Sequence, residues 1–140
     1  CLLAIITLAL ISCQTQSMSK KSTPELILRL SVQDSLSGGS LANVEFEISP
    51  GWHIYGPQLQ KNGRPTSLTF SQAGKPLAPP LWPEVSSFDE GKSGSSLGYS
   101  GRINVRAPID PSLNEVQASI SWVACAHICV PGETVLKLTF

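Results

Sequence analysis

The chain has no run of either charge, no apolar stretch long enough to span a bilayer, no convincing amphipathic helix and few cysteines. Ten acidic residues balance ten basic ones. A nucleic-acid partner normally leaves a basic stripe on a domain, so none is expected. The longest apolar run, residues 1–12, falls short of the roughly 20 residues that a spanning helix needs. No nucleophile-elbow pattern is present, and neither histidine has an obvious acid partner, so Ser/His/Asp hydrolysis has no support. Beyond residue 13 only Cys125 and Cys129 remain. A disulfide between them would contribute only about 2 kcal/mol by chain entropy, against roughly 4.7 for a loop of about 100 residues. It cannot tie one sheet to another. A local, exchangeable disulfide is instead what a thiol–disulfide relay needs.

What is present begins with a leader. Residues 1–12 have the length of the hydrophobic region of a secretory signal, without the initiator Met or basic stretch that should precede it. The expected signal peptide is therefore incomplete at its N-terminus. The run ends in Leu10-Ile11-Ser12-Cys13, which resembles a bacterial lipobox and makes Cys13 the expected site of lipidation. Gln14 is not the aspartate that typically retains lipoproteins at the inner membrane, so the outer membrane is the expected destination. Residues 13–23 read as the lipidated cysteine and a polar, flexible tether. An exported chain reaches an oxidising compartment where the two remaining cysteines can pair. Residues 24–140 are one domain by length.

Within that domain the apolar period is two almost everywhere. Leu26, Leu28, Leu30 and Val32 alternate with Ile27, Arg29 and Ser31, and Val44, Phe46 and Ile48 with Asn43, Glu45 and Glu47. Both read as half-buried strands, with a turn at Ser37-Gly38-Gly39-Ser40 between them. Further strands are predicted at Trp52–Tyr55, Ser67–Phe70, around Val105, at Val116–Trp122 and at Thr134–Phe140, the last after a turn at Pro131-Gly132. Four prolines and a Gly/Ser-rich stretch over residues 75–98 read as an exposed loop, and long loops are more often functional than idle. The fold expected is all-β, an immunoglobulin-like sandwich of about seven or more antiparallel strands.

Cys125 and Cys129 supply the attacking and resolving thiols that exchange requires, if the turn between them brings their Cα atoms within about 7 Å. His127 between them favours a thiolate when protonated, or is simply an exposed turn residue. Metal binding is the rival chemistry. Cys125, Cys129, His127 and His53 form a ligand set suited to zinc or copper(I), but they lack the paired two-residue gaps of structural zinc sites. No metal and no cofactor are expected. Asp89 and Glu90 read as solvated loop charges rather than an acid/base couple.

Gly51-Trp-His-Ile-Tyr55, Gly91-Lys-Ser93, Gly98-Tyr99 and Trp122-Val-Ala-Cys-Ala-His-Ile-Cys-Val-Pro-Gly-Glu-Thr134 resemble, in order, the N-terminal periplasmic domain of the thiol:disulfide interchange protein DsbD and its relative ScsB. The resemblance runs from about residue 25 to 140. It implies an immunoglobulin-like sandwich whose cysteine pair takes electrons from a thioredoxin-like donor and passes them to periplasmic disulfide isomerases and related oxidoreductases. It implies that Cys129 forms the mixed disulfide and that Cys125 resolves it. It also implies a cap loop over the pair, whose place in chain order is Phe88-Asp89-Glu90-Gly91 with Phe88 as lid, and aromatic surroundings matching Tyr55 and His53.

Three features depart from the family pattern. The cysteines are separated by three residues rather than a longer gap, the lipobox is not a DsbD feature, and the sequence reaches Phe140 with neither a transmembrane electron channel nor a thioredoxin domain. It therefore reads as a leading fragment or as a free-standing tethered version. Two other functions compete: a lipoprotein module that binds a protein through its loops, with a structural disulfide, and a copper or zinc carrier.

Overall fold

The computed structural model describes residues 18–61 and 63–140. The expected signal peptide, the lipidated Cys13 and the first part of the tether lie outside the described residues. Among the described residues eleven strands form two antiparallel sheets, and there is no α-helix. The first sheet has the order β1 (Met18–Ser22), β2 (Leu26–Asp34), β3 (Ser40–Ile48), β9 (Arg102–Ile109). The second runs β6 (Lys75–Pro76), β5 (Ser67–Gln72), β10 (Glu115–Cys125), β4 (His53–Tyr55), β8 (Ser95–Tyr99), β7 (Ser86–Asp89), with β11 (Cys129–Thr139) on the other edge of β10. This is the expected immunoglobulin-like sandwich.

Alternation builds the core. Leu26, Leu28 and Leu30 of β2 and Val44, Phe46 and Ile48 of β3 meet Leu68, Phe70, Val116, Ala118, Ile120 and Trp122 of the second sheet, all of them buried. Burying a large aliphatic or aromatic side chain stabilises by about 1.5–3 kcal/mol, so the interface between the sheets dominates the stability of the fold. Trp82 stacks on Tyr99 with ring centroids 5.9 Å apart, filling one margin of the same core.

Four local expectations change. Met18–Ser22 is not tether but an edge strand, in register with β2 from Met18↔Ser31 to Ser22↔Ile27. Within residues 75–98, Ser86–Asp89 and Ser95–Tyr99 form a hairpin. Its many small polar residues carry no alternating signal, and backbone pairing forms it, closed by Glu90 N–H donating to the Gly94 carbonyl at 2.7 Å. Lys75–Pro76 adds a two-residue strand beside β5. Finally, β11 begins at Cys129, so Pro131 and Gly132 lie inside a strand rather than a turn.

The ladder explains that last change. Phe140 N–H donates to Asn114 O, and Ala126 N–H to Ile128 O. Even-numbered residues of β11 therefore face β10 with their hydrogen-bonding groups, and odd-numbered ones face outward. Pro131, opposite Val123, has no N–H to lose on the bonded side. Gly132 lies opposite Trp122, and a Cβ there would run into the indole ring.

Candidate functional site

One edge of β10 is shared. β5 pairs with it from Gln117↔Ser71 to Ser121↔Ser67, and β4 takes over at Ala124↔Ile54 and Cys125↔His53. Opposed residues point to the same face, so Ile54 and Ala124 enter the core while His53 and Cys125 share the outer face. The connection between these two strands brings Gly63 and Arg64 onto that face.

Cys125 and Cys129 are opposite each other at the end of the β10–β11 hairpin and are joined by a disulfide, with Cα atoms 4.1 Å apart. Theirs is a non-hydrogen-bonded position of the ladder, where facing Cα atoms come closest. The expected proximity is thus a product of register, with Ala126, His127 and Ile128 as the turn. The two sulfurs have different surroundings. Cys125 is 2 % exposed, whereas Cys129, His127 and Ile128 stand in solvent.

The cover over Cys125 comes from three segments. Tyr55 places its hydroxyl 3.4 Å from Cys125 Sγ and donates to Glu90 Oε1, also at 3.4 Å. The same carboxylate oxygen accepts from Ser96 Oγ at 2.6 Å and lies 3.2 Å from His53 Nε2. Phe88 stacks on His53, centroids 4.6 Å apart, and His53 meets the edge of Tyr55. Asp89 faces away and accepts from Gly91 N–H at 2.8 Å, shaping the hairpin turn. On the opposite flank Gly63 lies over the Tyr55 ring. Its φ of +80° and the ring beneath it both require glycine, since a Cβ would overlap the phenol. Gln60 anchors this loop to β8, donating to Leu97 O and accepting from Leu97 N–H.

Electrostatics follow from convergence on one oxygen. The Ser96 hydroxyl, then His53 and Tyr55, hold the Glu90 carboxyl below the usual glutamate range, against the opposing effect of burial. Burial first, and the Glu90 charge second, push the Tyr55 phenol up, so it stays a protonated donor. Among the described residues no group of three or more His, Cys, Asp or Glu side chains is placed to hold a metal ion. His53 and His127 in particular do not join the two sulfurs in one ligand set.

The structure therefore brings together Cys125, Cys129, Tyr55, His53, Phe88 and Glu90. It leaves His127 exposed on the turn and Asp89 in the supporting hairpin. The residue against the buried sulfur is Tyr55, with Phe88 one ring further out on His53. Ser96 and Gly63 belong to the site and were not foreseen. A serine in a serine-rich stretch and a glycine in a loop carry no signal of the ring or carboxylate they will meet.

No curated protein matches this chain. Among solved structures, the N-terminal periplasmic domain of ScsB from Proteus mirabilis is similar with a TM-score of 0.68 and 17 % identity, covering 89 % of this chain and 52 % of that one. The chain thus spans about half the length of that relative. The reduced form of the DsbD N-terminal domain from Neisseria meningitidis is similar with a TM-score of 0.54 and 16 % identity, covering 89 % of this chain and 86 % of that one. At these identities the two structures establish the shared fold. The family model for the N-terminal region of the thiol:disulfide interchange protein DsbD matches residues 24–140, which covers every strand from β2 to β11 and the cysteine pair, and the chain belongs to that family.

Proposed function

We propose that this domain performs thiol–disulfide exchange in the bacterial periplasm, relaying electrons through Cys125 and Cys129 from a thioredoxin-like donor to periplasmic disulfide oxidoreductases. The observation that carries this reading is the asymmetry of a local disulfide, with one sulfur in solvent and the other sealed beneath Tyr55. A structural staple has no use for such asymmetry, whereas exchange requires access for an incoming thiolate at one sulfur only. Cys129 is the sulfur attacked by the donor, forming the mixed disulfide and releasing Cys125 as thiolate. A second donor thiolate then displaces Cys129, leaving the dithiol. Running forward to a client, Cys129 attacks the client disulfide and Cys125 resolves the intermediate.

Tyr55 supports the buried sulfur through its hydroxyl, and Glu90, His53 and Phe88 hold Tyr55 and the hairpin in place. Cys13 tethers the domain to a membrane, the outer one in preference, through its lipid. Equilibrium titration of Cys125–Cys129 against a glutathione buffer tests the relay. A potential between about −120 and −270 mV is expected, the range of exchange proteins, and a value well below about −300 mV would mark a structural bridge.

A further inference from the structure

A trough leads away from the exposed sulfur along the outer face of the second sheet. It starts as a cavity of about 430 Å³ lined by Cys129, Tyr55, Gly63, Arg64, Val123 and Pro131. A second cavity of about 330 Å³ shares Arg64, Val123 and Pro131 with the first and continues to Ser121 and Glu133. A third, of about 760 Å³, shares Ser121 and Glu133 and runs on over serine and threonine side chains to Val135. From Cys129 to Val135 the path follows six residues of β11, about 20 Å at the rise of an extended strand. Its floor beside the sulfur is apolar. Arg64 lines the first two cavities and Glu133 the second and third, and among the described residues neither has an ion-pair partner.

We propose that this trough is a substrate subsite for disulfides carried on extended peptide segments, with Arg64 selecting an acidic side chain and Glu133 a basic one. The inference rests on the exchange reading and adds a substrate class to it. Folded oxidoreductases present a cysteine on a compact surface, but a 20 Å trough continuous with the reactive sulfur fits a chain lying along it. In an extended segment alternate side chains face the same way. With the substrate cysteine at Cys129, the residue two positions away lies over Val123 and Pro131 within reach of Arg64. The residue four positions away reaches Glu133, which is itself four residues along β11.

The exchange balances without any further reagent. The reduced Cys129 thiolate attacks the peptide sulfur, an S–S bond forms between them, and the original partner leaves as a thiolate with the electron pair. Cys125 then attacks Cys129 Sγ, closing the intramolecular disulfide and expelling the peptide as its thiol. The dithiol is oxidised by two electrons and the peptide disulfide is reduced by two.

The test uses the reduced domain and peptides whose cysteine is blocked with thionitrobenzoate, so that attack releases colour. Cys-Ala-Glu-Ala-Lys and its reversed order Lys-Ala-Glu-Ala-Cys are compared with the same pair carrying Glu and Lys exchanged. Second-order rates in low salt should favour the matched charges about fivefold in at least one direction, as one close ion pair predicts. That preference should fade toward one in strong salt. It should invert when Arg64→Glu and Glu133→Arg are combined. Equal rates for matched and exchanged peptides, or a preference that survives the charge reversal, would overturn the trough while leaving exchange intact. If Cys129 fails to react even with the thionitrobenzoate disulfide of mercaptoethanol, the exchange reading itself falls.

Discussion

The two sheets treat their outer faces differently. On the first, Arg29 bonds to Glu45 and Glu47 at 2.9 and 2.8 Å, and Arg102 reaches Glu47 at 3.1 Å. This is a cross-strand charge ladder in contact with water, where each pair stabilises little because solvent already serves both partners. On the second sheet the polar groups of His53, Tyr55 and Ser96 converge on a single oxygen of Glu90, under a hairpin and a loop. The chemistry of the strands is alike in the two places. Cover makes the difference, because it removes Cys125 from solvent and leaves Cys129 exposed.

The comparison breaks most severely at the sulfurs. Cys129→Ser should abolish exchange, while Cys125→Ser should accumulate a mixed disulfide with a partner, visible on a non-reducing gel. Interchanged behaviour of the two variants would reverse the assigned roles. Either change should lower unfolding stability by only about 2 kcal/mol, the value of so short a loop.

The next largest effect is expected from the cover. Gly63→Ala forces a side chain into the left-handed region and against the Tyr55 ring. Denaturant unfolding should show a loss of about 1–3 kcal/mol, the usual cost of overpacking. Cys125 should also become more reactive to a thiol reagent in the reduced protein. Unchanged stability and reactivity would show that the loop does not seal the site.

Glu90 gives a smaller, pH-dependent effect. Its folded value lies below the ordinary glutamate value of 4.5. The stability it contributes is therefore complete above 4.5 and is lost as pH falls through the lower folded value. Thermal unfolding of wild type should weaken across that acid window, and Glu90→Gln should flatten that part of the profile. At neutral pH the same variant should speed resolution of the mixed disulfide, since Cys125 would no longer form its thiolate one hydroxyl away from a carboxylate. A steeper acid loss in the variant would assign the dependence to another group.

The smallest effect belongs to the ladder. Arg29→Ala should change stability slightly, less still in salt, and should leave the Cys125–Cys129 potential untouched. A shift in that potential would mean that the two outer faces communicate through the core.

Much of this architecture is legible in the sequence because alternation has a single cause. The leucines at 26, 28 and 30 can be buried together only if the chain is extended, and the same holds for Val116, Ala118, Ile120 and Trp122. The hairpin at Ser86–Tyr99 is not legible, since backbone hydrogen bonds form it and serines and glycines leave no pattern. Pro131-Gly132 misleads for a related reason. Those residues usually mark a turn, yet here one lacks a donor on the side that needs none and the other makes room for a tryptophan ring.

By itself the sequence determined the all-β class, the apolar faces that meet in the core, and a pair of cysteines only three residues apart. Each is a local consequence of period or spacing. Only the tertiary structure decided which sulfur is exposed, that Glu90 rather than Asp89 turns inward, and that Tyr55, Ser96 and Gly63 share one site. Those outcomes depend on which strand succeeds β5 along the edge of β10 and on where two connecting segments come to rest. Contacts between residues far apart in the chain set such positions, and no local pattern records them.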